Sequence, residues 1–251
     1  MRLTRIFVDA PMVTGASLIL QPGPASHVTR VLRMQTGESL RAFNGHGGEF
    51  DANIESIRRD AVTLRIGTHQ TIERESPLHI TLLQGIARGE KMDLILQKAT
   101  ELGVAAVVPV TTARSTVRLD EEAAHRKHAH WLGVLIGACE QCGRNRIPTI
   151  AAPSGLATVV GGSQAQLKLL LEPEPEAGAL RTLLARVLRS EAQHLSVCML
   201  VGPEGGLDPH EVLSAKQAGF LPCRLGPRVL RTETAALTAL AALQVLAGDL
   251  T

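Results

Sequence analysis

Aromatic side chains are scarce in this 251-residue chain: Phe7, Phe43, Phe50, Phe220 and Trp131, with no Tyr. That argues against single-stranded RNA binding on a platform of exposed rings, where successive bases stack. Four cysteines are too few for a disulfide scaffold at this length. An excess of one charge is lacking as well: 26 basic residues face 24 acidic ones, a net of +2. No global field attracts a polyanion, so any nucleic-acid contact must come from a local basic patch. No stretch approaches the ~18 apolar residues of a membrane span. The most apolar segment, 234–248, is broken by Thr238 and Gln244 and reads as a buried helix. The first residues lack the apolar run of a signal peptide, so the expected location is the cytoplasm, with no membrane partner. What remains is ordinary for a globular protein, 45% apolar and 20% charged. At roughly 100–200 residues per domain, the length suits one or two domains.

The first 72 residues differ from the rest. Short β-type runs at 4–8, 17–21, 39–43, 49–56 and 61–67 are separated by Gly, Pro and Asn, and one helical stretch covers 25–34. The turn Asn44-Gly45-His46-Gly47-Gly48 is a hairpin signal. Several short strands with one helix suggest a small barrel or rolled sheet. This part has eight Arg and no Lys against six acids, so the whole charge excess lies here. From residue 73 to 251, strand and helix alternate. Strands are expected at 80–86, 104–110, 167–171, 195–201 and 224–225, and helices at 89–102, 120–140, 177–190, 209–218 and 232–247. Residues 154–163 are open between loop and short helix. The alternation argues for an α/β domain with a largely parallel sheet.

Val201-Gly202-Pro203-Glu204-Gly205-Gly206-Leu207 follows a strand and precedes a helix opened by Asp208-Pro209. Its glycines let backbone N–H groups approach a ligand, but the spacing is neither a dinucleotide fingerprint nor a P-loop. The plain alternative is a tight strand-to-helix turn. Leu225-Gly226-Pro227-Arg228-Val229-Leu230-Arg231-Thr232-Glu233-Thr234-Ala235 is a second such element. Helix capping accounts for Thr232 and Glu233. It does not account for two arginines between apolar residues in a tight loop. Cys139-Glu140-Gln141-Cys142 is a lone C-x-x-C, weak as a zinc site, and His125, His128 and His130 read as a solvated helix face, so no metal is expected. Lys91 and Lys98 share a helix face, with Glu101 three beyond Lys98, which alone is a surface pair.

Taken in order, four segments closely resemble the bacterial 16S rRNA uracil-N3 methyltransferases, the RsmE family. They are Gln97-Lys98-Ala99-Thr100-Glu101-Leu102-Gly103-Val104, Ala138-Cys139-Glu140-Gln141-Cys142-Gly143-Arg144, Gly202-Pro203-Glu204-Gly205-Gly206 and Leu225 through Ala235. Arg5-Ile6-Phe7 and His27-Val28-Thr29-Arg30-Val31-Leu32-Arg33 are similar too, so the resemblance spans nearly the whole chain. One departure is mild: Val229 stands where isoleucine is common. The resemblance implies a PUA-like β-barrel over 1–72 that binds RNA. It implies a SPOUT methyltransferase domain over 73–251, an α/β fold with a deep trefoil knot, working as a homodimer. The cofactor implied is S-adenosylmethionine. The substrate implied is N3 of one uridine, of the 1498 type, in 16S rRNA of the small ribosomal subunit. The apolar helix at 234–247 adds a reason of its own to expect the homodimer.

On that reading the cofactor lies at three strand ends. The residues are Leu171, Glu172 and Pro173, then Gly202, Pro203, Glu204, Gly205 and Gly206, then Leu225, Gly226, Val229, Leu230, Thr234 and Ala235. A side chain at Gly202, Gly205 or Gly206 is expected to meet the ligand or force an unfavourable φ. Arg5, Arg30, Arg33, Arg88, Lys91, Lys98 and Arg144 are the expected RNA contacts, each with ordinary surface charge as its alternative. A uracil N3 is a poor nucleophile until it loses its proton. Glu204 and Glu233 are both candidate bases. Arg231 is the favoured catalytic or target-base contact, steadying the uracil anion, and Glu204 belongs mainly to the cofactor loop. A SPOUT enzyme acting on another RNA, or a ribosome-assembly factor without catalysis, remains the alternative; intact glycine loops and Arg231 speak against the second.

Overall fold

The computed structural model describes residues 3–59, 61–115, 117, 119–174, 177–188 and 195–250. The chain divides into two compact units, one of Met1–Glu75 with Ile136–Ile147 and one of Ser76–Leu135 with Pro148–Thr251.

The first unit is a five-stranded sheet of β1 (Arg5–Phe7), β2 (Ser17–Ile19), β3 (Ser39–Phe43), β4 (Glu49–Arg58) and β5 (Ala61–Gln70), in the order β1-β3-β4-β5-β2. β1 pairs with β3 in parallel and the other pairs are antiparallel. The β3–β4 hairpin turns where the sequence signalled it; Gly45, Gly47 and Gly48 all have positive φ there, which side chains resist. Alternate residues of the strands, Leu40 and Ala42, then Val62, Leu64 and Ile66, point into one apolar core.

The helix expected at 25–34 is different in detail. α1 runs Pro22–Ser26 and passes into a π-helical turn, His27–Val31. Pro22 starts it early, because the first helical turn needs no N–H from proline. Leu32 N donates to His27 O at 2.9 Å, the wider π spacing, and Arg33 at φ +54° ends the turn. Residues 136–147 join this unit although sequence order places them after residue 73. Asn145 shows why: its amide donates to Ile72 O at 2.6 Å and its Oδ1 accepts from Arg5 at 2.7 Å.

The second unit is an α/β layer structure. Its sheet has β6 (His79–Gly85), β7 (Ala106–Thr111), β8 (Thr149–Ile150), β9 (Ser154–Gly155), β10 (Leu167–Leu171), β11 (Gly178–Ala179), β12 (Ser196–Val201) and β13 (Leu221–Arg224). The order is β11-β13-β10-β12-β6-β7-β8, with β9 also on β7, and every pair is parallel. Strands buried on both faces need continuous apolar runs, and β12 supplies one, with Val197–Val201 all buried. The helices are α2 (Lys91–Glu101), α3 (Glu121–Cys142), α4 (Leu156–Gly162), α5 (Leu180–Val187), α6 (Pro209–Gln217) and α7 (Thr232–Ala247). The last turns of α3, from Ile136, count with the first unit.

The segment left open at 154–163 is β9 and α4. The strand expected at 224–225 lies earlier, at β13. Pro222 conceals it in the sequence, since proline cannot donate to a ladder. The end of the helix expected at 177–190 lies outside the described residues, and its start is β11 rather than helix. α7 is locked to the end of α2 by Gln244, wholly buried, which donates to Leu102 O at 2.9 Å and accepts from Ser76 at 2.7 Å. Among the described residues no helix is long and apolar enough to cross a membrane.

Candidate functional site

Because the sheet is parallel, β13, β10, β12 and β6, neighbours in that order, all end at one edge. Ligands of α/β sheets sit at such carboxyl edges. The segments that follow β10 and β13 enclose a cavity of about 340 Å³, in the range of small-molecule sites. Of the residues expected at the cofactor, Leu171, Glu172, Pro173, Leu225, Gly226, Val229, Leu230 and Ala235 line it. Pro227 and Arg228, within the loop between Leu225 and Leu230, line it as well, as do Glu174, Cys223 and Arg224, which were not anticipated. Gly202, Pro203, Glu204, Gly205, Gly206 and Thr234 are outside the lining.

The walls combine apolar side chains and backbone with two carboxylates, Glu172 and Glu174, and two arginines, Arg224 and Arg228. Burial pushes the Glu172 carboxyl above its ordinary value, and Glu174 adds to this against the opposing pull of Lys216 and Arg114. Lys216 itself is held by Glu174 at 2.9 Å. Val229 is 81% exposed, so the cavity keeps an apolar side chain at an open mouth.

The loop after β12 is held from several sides. A Cβ on Gly85 would fall 2.5 Å from Pro203 N, so the end of β6 lies directly against this loop. Gly206 has φ +68°, and a Cβ on Gly202 would sit 3.2 Å from Gly206 C and Leu207 Cγ. A Cβ on Gly205 would meet Arg114 O at 3.1 Å, so a side chain there is crowded by the protein itself. Asp208 and Glu211 form a capping box that opens α6, and Glu211 also accepts from Ala113 N at 2.7 Å.

Glu204 turns toward the start of α2. Its Oε1 accepts from Arg88 N at 3.1 Å and lies 3.1 Å from Lys91 Nζ. Burial raises its pKa, but hydrogen bonds from its own backbone N–H, from Arg88 N–H and from Lys91 outweigh that and hold it below the ordinary carboxylate range. Lys91 also stands 3.9 Å from Glu233 Oε2. Thr232 Oγ1 donates to Gly202 O at 2.6 Å and accepts from the buried Gln84 amide at 2.9 Å, which pins the first turn of α7 to the ends of β6 and β12. Arg231, the residue before that turn, is exposed.

The cationic residues expected at RNA divide into kinds. Arg30 and Arg33 are exposed on the π-helical turn and at its end, and Arg88 is exposed at the start of α2. Arg5 and Arg144 are not surface charges. Arg5 is 7% exposed; it pairs with Glu49, donates to Arg144 O and Asn145, and stacks 4.7 Å from the Phe43 ring centroid. Arg144 is 5% exposed and bound to Glu75. Both hold the first unit together, and a phosphate cannot displace such buried pairs cheaply. Lys91 is committed to Glu204 and Glu233, and Lys98 to Glu101 at 2.8 Å, the ordinary i,i+3 pair.

Sequence reasoning missed Gln84 and Gly85. The signal was present: a polar residue and a glycine closing an otherwise apolar strand. Cys139 is buried and its thiol is pushed up to about 12 by that burial, an inert packing residue. Among the described residues no cluster of three His, Cys, Asp or Glu could hold a metal.

A family model described as an RNA methyltransferase domain matches residues 74–244, and one described as an RNA methyltransferase PUA domain matches 25–67. The ribosomal RNA small subunit methyltransferase E of Bacillus subtilis is 32% identical over 89% of both chains. The protein of that name from Buchnera aphidicola of Schizaphis graminum is 32% identical over 99% of this chain and 98% of its own. Among solved structures, a putative methyltransferase from Legionella pneumophila in complex with S-adenosylmethionine is 43% identical, with complete coverage of both chains and a TM-score of 0.93. A ribosomal RNA small subunit methyltransferase E from Neisseria gonorrhoeae bound to S-adenosylmethionine is 34% identical, also over both whole chains, with a TM-score of 0.88.

Proposed function

Because this chain belongs to the ribosomal RNA small subunit methyltransferase E family, we propose that it methylates N3 of a single uridine in 16S rRNA of the small ribosomal subunit. The observation that carries this is the cavity at the ends of β10 and β13, on the same sheet edge as the Gly202–Gly206 loop and Arg231. Its residues suit S-adenosylmethionine. Apolar walls from Leu171, Leu225, Leu230 and Ala235 suit an adenine, backbone groups of the 225–230 loop suit its polar edge, and the Glu172 carboxyl suits hydroxyls or a cationic sulfur. The bound cofactor supplies a methyl group on that sulfur.

The protein's own residues do the rest. Glu204 and Lys91 hold the loop after β12 to the start of α2. Arg231, exposed and unburdened by any ion pair among the described residues, meets the uracil carbonyl oxygens and steadies the charge that grows there when N3 loses its proton. In the first unit, Arg30 and Arg33 contact RNA phosphates, and Arg88 does so in the second. The finer architecture belongs to the same proposal: a PUA-like barrel for residues 1–72, a SPOUT domain with a trefoil knot for 73–251, a homodimer, and a cytoplasmic location. Exposed Val245 and Leu246 on α7 support the homodimer.

Mass mapping of 16S rRNA from cells with and without the gene tests the reaction. One N3-methyluridine is expected to disappear with the gene. Calorimetric titration with S-adenosylmethionine is expected to show binding, and no heat would leave only an RNA-binding factor. Light scattering at a concentration-independent mass near 27 kDa would refute the homodimer (the chain is 26.7 kDa).

A further inference from the structure

The two carboxylates at this edge are not equivalent. Glu204 Oε1 already takes two donors, the Arg88 N–H and the Lys91 ammonium. Glu233 has a side chain only 14% exposed, and its Oε2 is fully buried with no hydrogen-bond partner among the described residues. Lys91 Nζ at 3.9 Å is too far for a hydrogen bond. An orphaned buried carboxylate oxygen is costly, and native structures keep one for a reason. The positive end of α7 favours a carboxylate in its first turn, but that field leaves this oxygen without a hydrogen-bond donor.

Its position is also fixed. The adjacent Thr232 is bonded to Gly202 O and to Gln84. On either side, Leu230 and Ala235 line the cavity. The orphan oxygen is therefore anchored at the sheet edge beside the cavity, between two residues that line it, although Glu233 is not itself in the lining.

We propose that Glu233, not Glu204, accepts the N3 proton of the target uracil, with Lys91 as the positioning residue that holds both carboxylates. The inference rests on the N3-methylation reading above. The N3–H bond breaks and the proton passes to Glu233 Oε2. Its electron pair stays on N3 and forms the new bond to the methyl carbon, while the sulfur–methyl bond breaks with its pair left on sulfur. The proton then leaves to water. Of the charged groups around Glu233, Lys91 approaches from α2, Glu204 shares that ammonium from the loop after β12, and Arg231 precedes it in sequence.

The test uses the full chain and intact small ribosomal subunits from strains with and without the modifying gene, which carry N3-methyluridine or uridine at the target. Without cofactor, wild-type protein is expected to bind the unmethylated subunits roughly tenfold or more tightly, because the N3–H donates to a charged acceptor. Glu233→Ala is expected to lose that preference and Glu204→Gln to keep it. In single turnover, Glu233→Gln is expected to fall at least 100-fold with S-adenosylmethionine affinity unchanged. Subunits from cells grown on 5-fluorouracil, whose N3 is more acidic, are expected to restore much of that rate. A preserved preference in Glu233→Ala overturns the proposal. So does a normal rate in Glu233→Gln, or loss of cofactor affinity and melting temperature together, which would make Glu233 structural. A wild-type product methylated elsewhere than N3 would instead overturn the reading on which it rests.

Discussion

Arginine is used differently in the two units. In the first, Arg5 and Arg144 are drawn inside and paired with Glu49 and Glu75, Arg5 also donating to Arg144 O, while Arg5 Nε keeps no hydrogen-bond partner among the described residues. In the second, Arg231 stays exposed at the sheet edge, close in sequence to a carboxylate oxygen left without a donor. Paired buried charges fix a structure. An unsatisfied buried polar group calls for an explanation, and beside a cavity a ligand is one. Residue type alone does not separate these uses, because the same guanidinium serves both.

The largest expected effect breaks the contrast from the structural side. Arg5→Ala leaves Glu49 buried with fewer partners, and urea denaturation of the full chain is expected to show a loss of about 3–5 kcal/mol. An unchanged midpoint would mean that the pair is dispensable. From the functional side, Arg231→Ala is expected to leave melting temperature and cofactor affinity in place. Single-turnover methylation should then drop on the order of 100–1,000-fold, about 3–4 kcal/mol. Should stability and cofactor affinity fall together instead, Arg231 would belong with Arg5.

A smaller effect sharpens the contrast within the first unit. Reversing the exposed Arg30 and Arg33 to Glu is expected to weaken RNA binding and lower its salt slope by about one logarithmic unit per lost phosphate contact. Urea stability should stay near wild type, opposite to Arg5→Ala. Binding with an unchanged slope would remove this surface from the RNA site.

The smallest effect concerns Glu140, whose carboxyl is pushed above its ordinary value by burial, partly offset by the Phe7 N–H at 2.9 Å. A raised folded-state value means the ionised form costs stability at neutral pH, and the cost vanishes as pH falls through that value toward the unfolded one. Glu140→Gln keeps an acceptor for Phe7. Its melting temperature is therefore expected to exceed wild type at pH 7 and to converge with it near pH 4. A lower value at pH 7 would show that the charge itself is needed.

Much of the second unit was legible because its signals are local. A strand buried on both faces must be largely apolar, as 167–171 and 195–201 are apart from Lys168 and Ser196, and the Gly-Pro loops announce the ends where ligands bind. The resemblance carried by Gly202–Gly206 and Leu225–Ala235 pointed to the edge. It did not separate the residues that line the cavity from those, like Gly205, that pack against Arg114. The π-helical turn was read as an ordinary helix, since one widened turn leaves no mark on hydrophobic spacing.

The amino-acid sequence by itself determined the α/β alternation of the second unit, the short-strand character of the first, and the family. These follow from periodicity, turn residues and motif order, all carried by neighbours along the chain. Only the tertiary structure decided which cations are buried, that 136–147 belongs with the first unit, and that Glu204 Oε1 has two donors while Glu233 Oε2 has none among the described residues. Such facts depend on partners far apart in sequence: 139 and 140 positions from Arg5 to Arg144 and Asn145, 148 from Gln84 to Thr232. A side chain's type states what bonds it can make, and only the packed chain determines which of them are already taken.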